Sequence, residues 1–164
     1  MSATDDLVRN NAEYVRTFDS AEVPARPAKK VAVLTCMDAR IDPARAMGLA
    51  EGDAHVIRNA GGVVTDDAIR SLAISQHLLG TEEIVVIQHT NCGMQTVTDE
   101  ELAEKLEEHA GERPQWRAHA FSDLEQNLRD SVMSLKNTRF LLNTEQVRGF
   151  VYDVETGQLR EVPL

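Results

Sequence analysis

The two cysteines of the chain stand among polar residues that could act with them on a metal ion. Cys36 ends the apolar segment VAVLTC, and Cys92 lies in the sequence HTNCG, three residues after His89. Thiolate and imidazole are ligands that zinc prefers, and two sulfurs with one nitrogen leave the fourth position of a tetrahedral ion free. Because a free position is typical of catalytic zinc sites, these residues predict a catalytic zinc centre.

An aspartate and an arginine follow Cys36 at intervals of two residues. The Asp38 carboxylate could supply a fourth ligand and so close the site. Arg40 could instead hold Asp38 away from the metal and orient it, because a guanidinium is permanently charged and binds a carboxylate through two hydrogen bonds. The ordinary alternative is a solvated ion pair that contributes ~0–1 kcal/mol to stability.

Each of the three candidate metal ligands also has an ordinary interpretation. Cys36 could be a small buried core residue, and His89 could be one of five histidines met by chance. A disulfide between the two cysteines is disfavoured in a cytosolic chain, where thiols stay reduced. The metal interpretation is favoured because both cysteines follow predicted strands and one of them has a histidine beside it.

The elements that would bring these residues together are short apolar strands. Three segments rich in β-branched residues predict strands buried on both faces of a parallel sheet: 31–35, 54–58 and 83–89. Between the last two, Thr65 as cap and Gly80 as terminator predict a helix. Ligands collect at the carboxyl ends of parallel strands, where both cysteines are expected. The sequence RNAGG (58–62) predicts a tight turn close to the metal loop, since it lacks the glycine spacing of nucleotide-binding motifs.

The rest of the sequence predicts further helices and a closing hairpin. Two helices are indicated by capping pairs: Thr98 with Glu101, and Ser122 with Glu125. Segment 148–162 alternates apolar and polar residues about a Thr-Gly pair, which predicts a last strand and hairpin. We therefore expect residues 1–164 to form a single α/β domain with a mainly parallel central sheet flanked by helices.

The first thirty residues form an N-terminal helix and a connector in this interpretation. Segment 4–18 predicts a helix with an acidic first turn, and segment 19–30 contains two prolines and predicts an extended connector. Such a helix either packs on a partner subunit or is a frayed end, and the residues alone leave both alternatives open.

Composition excludes several classes of function. With 164 residues, 42% of them apolar and 27% charged, the chain can form one full hydrophobic core, in which Trp116 is expected to pack as an anchor. A formal net charge of −10 argues against binding to nucleic acid or to an anionic membrane. Neither a secretory leader nor a membrane-spanning segment is predicted, so we expect a cytoplasmic protein that acts on a small molecule.

The sequences CMDAR, HVIRNAGG and HTNCG together resemble the β-class carbonic anhydrases, whose signature is C-x-D-x-R followed by H-x-x-C-G. The resemblance is strong over residues 31–96, and the short chain is similar to the compact bacterial members. It implies a Zn²⁺ ion bound by Cys36, His89 and Cys92. It also implies a homodimer or a dimer of dimers, with the N-terminal helix lying over the neighbouring subunit.

The family reaction is the reversible hydration of carbon dioxide to bicarbonate and a proton by zinc-bound hydroxide. The resemblance implies that Asp38, held by Arg40, accepts a hydrogen bond from that hydroxide and that the Gly93 N–H donates to the developing bicarbonate. Two departures from common family members, Ala39 for serine and Pro27 for glutamine, leave the choice between carbon dioxide and carbonyl sulfide open. A third alternative is a non-catalytic binding module stabilised by zinc.

Overall fold

The structure, a computed structural model, describes residues 2–164 and contains one five-stranded sheet. Its strands are β1 (Val31–Cys36), β2 (Ala54–Asn59), β3 (Glu83–His89), β4 (Val147–Tyr152) and β5 (Leu159–Glu161). They lie in the order β2-β1-β3-β4-β5. The first four are parallel, and β5 runs antiparallel to β4 after the predicted hairpin.

Five α-helices accompany the sheet within residues 2–164. They are α1 (Ala3–Tyr14), α2 (Pro43–Met47), α3 (Asp66–Leu79), α4 (Asp99–Ala110) and α5 (Leu124–Asn137). Buried side chains of α3 and α5 form one apolar cluster with β1 and β3, for example Leu72, Leu128, Leu34 and Val86. The predicted single-domain α/β fold with a mainly parallel sheet is thereby confirmed. The expected helix between β2 and β3 is α3, which begins after Thr65 and ends at Gly80.

Strand β2 corrects one expectation from the sequence. It is an edge strand that, within residues 2–164, pairs only with β1. Its residues are partly buried or exposed, with Val56 43% exposed. The prediction that segment 54–58 is buried on both faces is therefore wrong. Apolar composition alone does not distinguish an edge strand from a central one, because sheet order is decided by long-range pairing.

The two predicted capping pairs have different outcomes. Thr98 and Glu101 cap α4 reciprocally, since each side chain accepts a hydrogen bond from the other residue's backbone N–H. The prediction that Ser122 and Glu125 cap a helix is wrong, because α5 begins one residue later than expected. Asp123 is its N-cap, and the Asp123 carboxylate accepts a hydrogen bond from the Gln126 N–H at 3.0 Å.

The N-terminal helix α1 lies on the surface and buries none of its residues within the described chain. Leu7 is 69% exposed, and the helix is tied to the rest of the fold by the Tyr14 hydroxyl, which donates to Glu51 at 2.7 Å. The expected anchor Trp116 is 62% exposed, so that prediction is wrong. Across residues 2–164, no helix combines the length and apolar character needed to cross a membrane.

Candidate metal centre

The candidate ligands meet at the carboxyl ends of two adjacent strands. Cys36 is the last residue of β1, His89 is the last residue of β3, and Cys92 follows three residues later. One ligand atom from each of the three lies within 4.8 Å of the other two, and all three residues are buried. The parallel sheet thus brings together residues that stand far apart in the sequence.

The His89 ring is oriented as a metal ligand would be. Its Nδ1 lies 2.9 Å from the Thr90 carbonyl oxygen, to which it can only donate, so Nε2 carries the free electron pair. Nε2 is buried and has no hydrogen-bond partner within residues 2–164. Since a buried polar atom without a partner is costly, a cation at this point would satisfy it. The donor set and the unpaired nitrogen therefore fit a zinc ion.

The two thiols shift each other's pKa in opposite directions. A hydrogen bond from Cys92 lowers the pKa of the Cys36 thiol to about 4, against the opposing effect of burial, and His89 and the Gly61 N–H contribute further. The same contact, with burial, raises the pKa of Cys92. A buried thiol whose ionised form is favoured, next to a second thiol and an imidazole, fits a divalent cation, because thiolate is the form that binds metal.

Asp38 is paired with Arg40 beside the cluster. The Arg40 Nε donates to Asp38 Oδ1 at 2.9 Å, and one terminal nitrogen donates to Oδ2 at 2.7 Å. These contacts hold the pKa of the Asp38 carboxyl well below its usual range. The Oδ2 atom lies 3.7 Å from His89 Nε2, so the carboxylate borders the cluster while its hydrogen bonds go to Arg40.

The side chain of Arg58 and the backbone of Gly61 both donate hydrogen bonds to the loop that carries Cys36. Arg58 donates from Nε to the Cys36 carbonyl at 2.9 Å and from a terminal nitrogen to the Asp38 carbonyl at 2.8 Å. The Gly61 N–H donates to the Cys36 sulfur at 3.3 Å, so the Gly61-Gly62 turn lies against the metal loop as the sequence predicts. The role of Arg58 was not predicted from the sequence, although Arg58 lies in β2, within the HVIRNAGG sequence that carries part of the family resemblance.

Apolar side chains pack around the two cysteines. Ile41 is buried with them, and Met94, Phe121 and Tyr152 are partly buried against this group. Gly93 is exposed and begins a short 3₁₀ turn (Gly93–Gln95) immediately after Cys92. The centre therefore combines a polar side, at the Asp38 and Arg40 pair, with an apolar side.

Fold and site together define an α/β protein with a buried Cys-His-Cys centre at the end of a parallel sheet. The chain belongs to the carbonic anhydrase family, whose sequence model matches residues 31–159, and within it to the β class. It is 47% identical over 162 residues to "Beta-carbonic anhydrase 1" of Mycobacterium tuberculosis, covering 99% of each chain.

Solved structures and other relatives agree with this assignment. A carbonic anhydrase structure from Streptococcus mutans superposes with a TM-score of 0.93 at 44% identity, covering 99% of each chain. The "Carbon disulfide hydrolase" of Saccharolobus solfataricus is more distant, at 37% identity over 158 residues, with 81% of this chain and 77% of the relative covered. The family resemblance read from the sequence motifs is confirmed.

Proposed function

We propose that the chain is a zinc-dependent carbonic anhydrase that catalyses the reversible hydration of carbon dioxide to bicarbonate and a proton. The observation that carries the proposal is the buried, unpartnered Nε2 of His89, in a ring of which one nitrogen lies within 4.8 Å of the sulfurs of Cys36 and Cys92. These three residues would hold the zinc ion. A similar protein of M. tuberculosis carries the name of this activity.

The residues beside the centre orient the reactants, stabilise developing charge and limit the access of water. When bound, zinc supplies the Lewis acidity that makes water a competent nucleophile at neutral pH. Asp38, ionised and fixed by Arg40, accepts a hydrogen bond from the attacking water and so orients its free electron pair toward the substrate carbon. The Gly93 N–H donates to the oxygen that gains charge as bicarbonate forms. Ile41 and Phe121 restrict bulk water and favour a small apolar substrate.

The metal site is tested by two ligand substitutions and one control. Cys92→Ser and His89→Gln should lose zinc and carbon dioxide hydration together, measured by metal analysis and stopped-flow assay. His77→Gln is the matched control, because His77 lies on the exposed side of α3 with its ring against the Phe140 carbonyl. A Cys92→Ser protein with full zinc content and an unchanged hydration rate would refute the assignment.

Carbonyl sulfide hydrolysis is the second candidate, and the apolar side of the centre favours it. Both substrates should be compared on one preparation of the zinc-loaded protein. A much larger specificity constant for carbonyl sulfide would overturn the choice of carbon dioxide. If neither substrate reacts while Asp38→Ala only weakens zinc binding, the chain is instead a zinc-stabilised binding module.

We further propose a homodimer, which can pair again into a dimer of dimers, in the cytoplasm. The surface position of α1 supports an assembly, since a twelve-residue helix that buries no side chain is marginal alone. The two free cysteines support the cytoplasm, where thiols stay reduced. Analytical ultracentrifugation tests the assembly: removal of residues 2–18 should give monomers, and a full chain that sediments as a monomer would contradict the proposal.

A further inference from the structure

Arg40 contacts both segments that carry the candidate metal ligands. Besides the two bonds from its guanidinium to the Asp38 carboxylate, one terminal nitrogen of that guanidinium donates to the backbone carbonyl of Asn91 at 2.9 Å. Asp38 belongs to the segment after β1, and Asn91 lies between His89 and Cys92 in the segment after β3. A guanidinium offers five N–H groups in one plane, so a single side chain can bind both acceptors at once.

The direction of the Asn91 carbonyl depends on an uncommon backbone conformation. Asn91 has φ +54°, in the left-handed region, which residues with a Cβ seldom adopt and which asparagine tolerates better than most. On its N-terminal side Thr90 is fixed to the β4–β5 connection: its N–H donates to the Tyr152 carbonyl, and its hydroxyl accepts from the Val154 N–H. On its other side Cys92 is buried. The chain therefore turns at Asn91 between two fixed neighbours.

The Asp38 carboxylate lies close to a ligand position. Two ligand atoms of one tetrahedral zinc ion are about 3.4 Å apart, as follows from zinc–ligand distances near 2.0–2.1 Å. Asp38 Oδ2 is 3.7 Å from His89 Nε2, so a small movement would bring it to the distance of a fellow ligand. Contacts that fix the Arg40 guanidinium therefore help to keep Oδ2 away from the fourth position of the metal.

We propose that Asn91 is a positioning residue, whose left-handed backbone aims its carbonyl at Arg40 and thereby keeps Asp38 off the metal. The proposal rests on the zinc site proposed above. The Arg40 backbone N–H already fixes one carboxylate oxygen, since it donates to Asp38 Oδ1 at 2.9 Å. Bound to Asp38 alone, the Arg40 guanidinium could still move together with the other oxygen, Oδ2, as one ion pair. Bound also to the Asn91 carbonyl, Arg40 is anchored to the opposite segment, and the carboxylate is held at its present distance from His89.

The test compares substitutions that differ in their tolerance of a positive φ. Asn91→Gly removes the side chain and permits the left-handed conformation, whereas Asn91→Val removes it and opposes that conformation. Asn91→Ala is a milder version of the second change, for use if the valine protein does not fold. Each protein is loaded with Co²⁺ and titrated with azide, a small anion whose binding to a free metal position alters the visible absorption of the ion.

We expect azide affinity to differ between the variants that permit the left-handed conformation at position 91 and those that oppose it. Wild type and Asn91→Gly should bind azide with affinities within threefold of each other, and Asn91→Val should bind it at least fivefold more weakly, because Asp38 occupies the position. Adding Asp38→Ala to Asn91→Val should restore azide binding, which a general loss of structure would not allow.

Contrary outcomes separate this proposal from the proposed function. A cobalt-loaded Asn91→Val protein, or Asn91→Ala in its place, that binds azide as wild type does would overturn the role of Asn91 alone. So would an equal loss in Asn91→Gly, or a double variant without recovery. A wild-type protein that binds no stoichiometric cobalt would overturn the metal site itself, and this inference with it.

Discussion

Replacement of Gly62 by alanine should destabilise the fold by more than its backbone conformation explains. Gly62 has φ +61°, and a Cβ there would lie 2.8 Å from the Ile87 carbonyl oxygen and 2.9 Å from the Cys36 nitrogen. The left-handed conformation costs a residue with a Cβ about 1–2 kcal/mol. The overlap adds about 1–3 kcal/mol, because backbone atoms of two central strands cannot move aside easily. The expected loss is therefore about 2–5 kcal/mol in the free energy of unfolding.

Gly48→Ala is the matched control for this prediction. Gly48 has φ +64°, and a Cβ there would meet nothing within 4 Å, so the substitution should cost only the conformational part. Urea unfolding of the metal-free proteins, at one protein concentration to hold any assembly constant, gives both values. Equal losses in the two variants, with unchanged dependence on urea, would refute the argument that close packing against β1 and β3 requires glycine at position 62.

Two further predictions concern stability. Gln76 accepts hydrogen bonds from two N–H groups of segment 142–143 and donates to the Asn143 carbonyl, so Gln76→Ala should cost about 2–4 kcal/mol in urea unfolding and speed amide exchange there. The Ala120 N–H donates to the Asp99 carboxylate and lowers the pKa of Asp99 in the folded state. The ionised carboxylate therefore stabilises the fold at pH values above its unfolded-state pKa of about 3.9. This stabilisation is lost as the pH falls through the lower, folded-state pKa. Between pH 5 and pH 3 the metal-free wild type should therefore lose more stability than Asp99→Asn, and parallel losses would contradict this contribution.

Features governed by local pattern could be predicted from the sequence. The apolar, β-branched segments that became β1 and β3 are buried in the sheet interior, so periodicity and composition identified them correctly. The rule that ligands gather at the carboxyl ends of parallel strands then placed Cys36 and His89 at the same edge of the sheet. No three-dimensional information was needed for this step, because parallel neighbours in register end at the same edge.

Features decided by distant contacts could not be predicted. Ser122 and Asp123 are both good helix caps, and the choice between them depends on Glu125, which pairs with Arg129 and Arg160 instead of returning to the helix start. The left-handed conformation of Asn91 likewise has no sequence signal beyond the tolerance of asparagine for it.

The three candidate metal ligands do not by themselves determine which substrate reacts. Carbon dioxide and carbonyl sulfide are both linear molecules attacked at carbon, and the same nucleophile would serve for either. They differ in the size and polarisability of one end atom, so only side chains that contact that atom can distinguish the two substrates. Ile41 and Phe121 pack beside the cysteines, while Asp38 is fixed by Arg40 on the polar side. Selectivity between the two substrates should therefore change when side chains on the apolar side are substituted. Substitutions at Asp38 and Arg40 should instead change the protonation and orientation of the nucleophile.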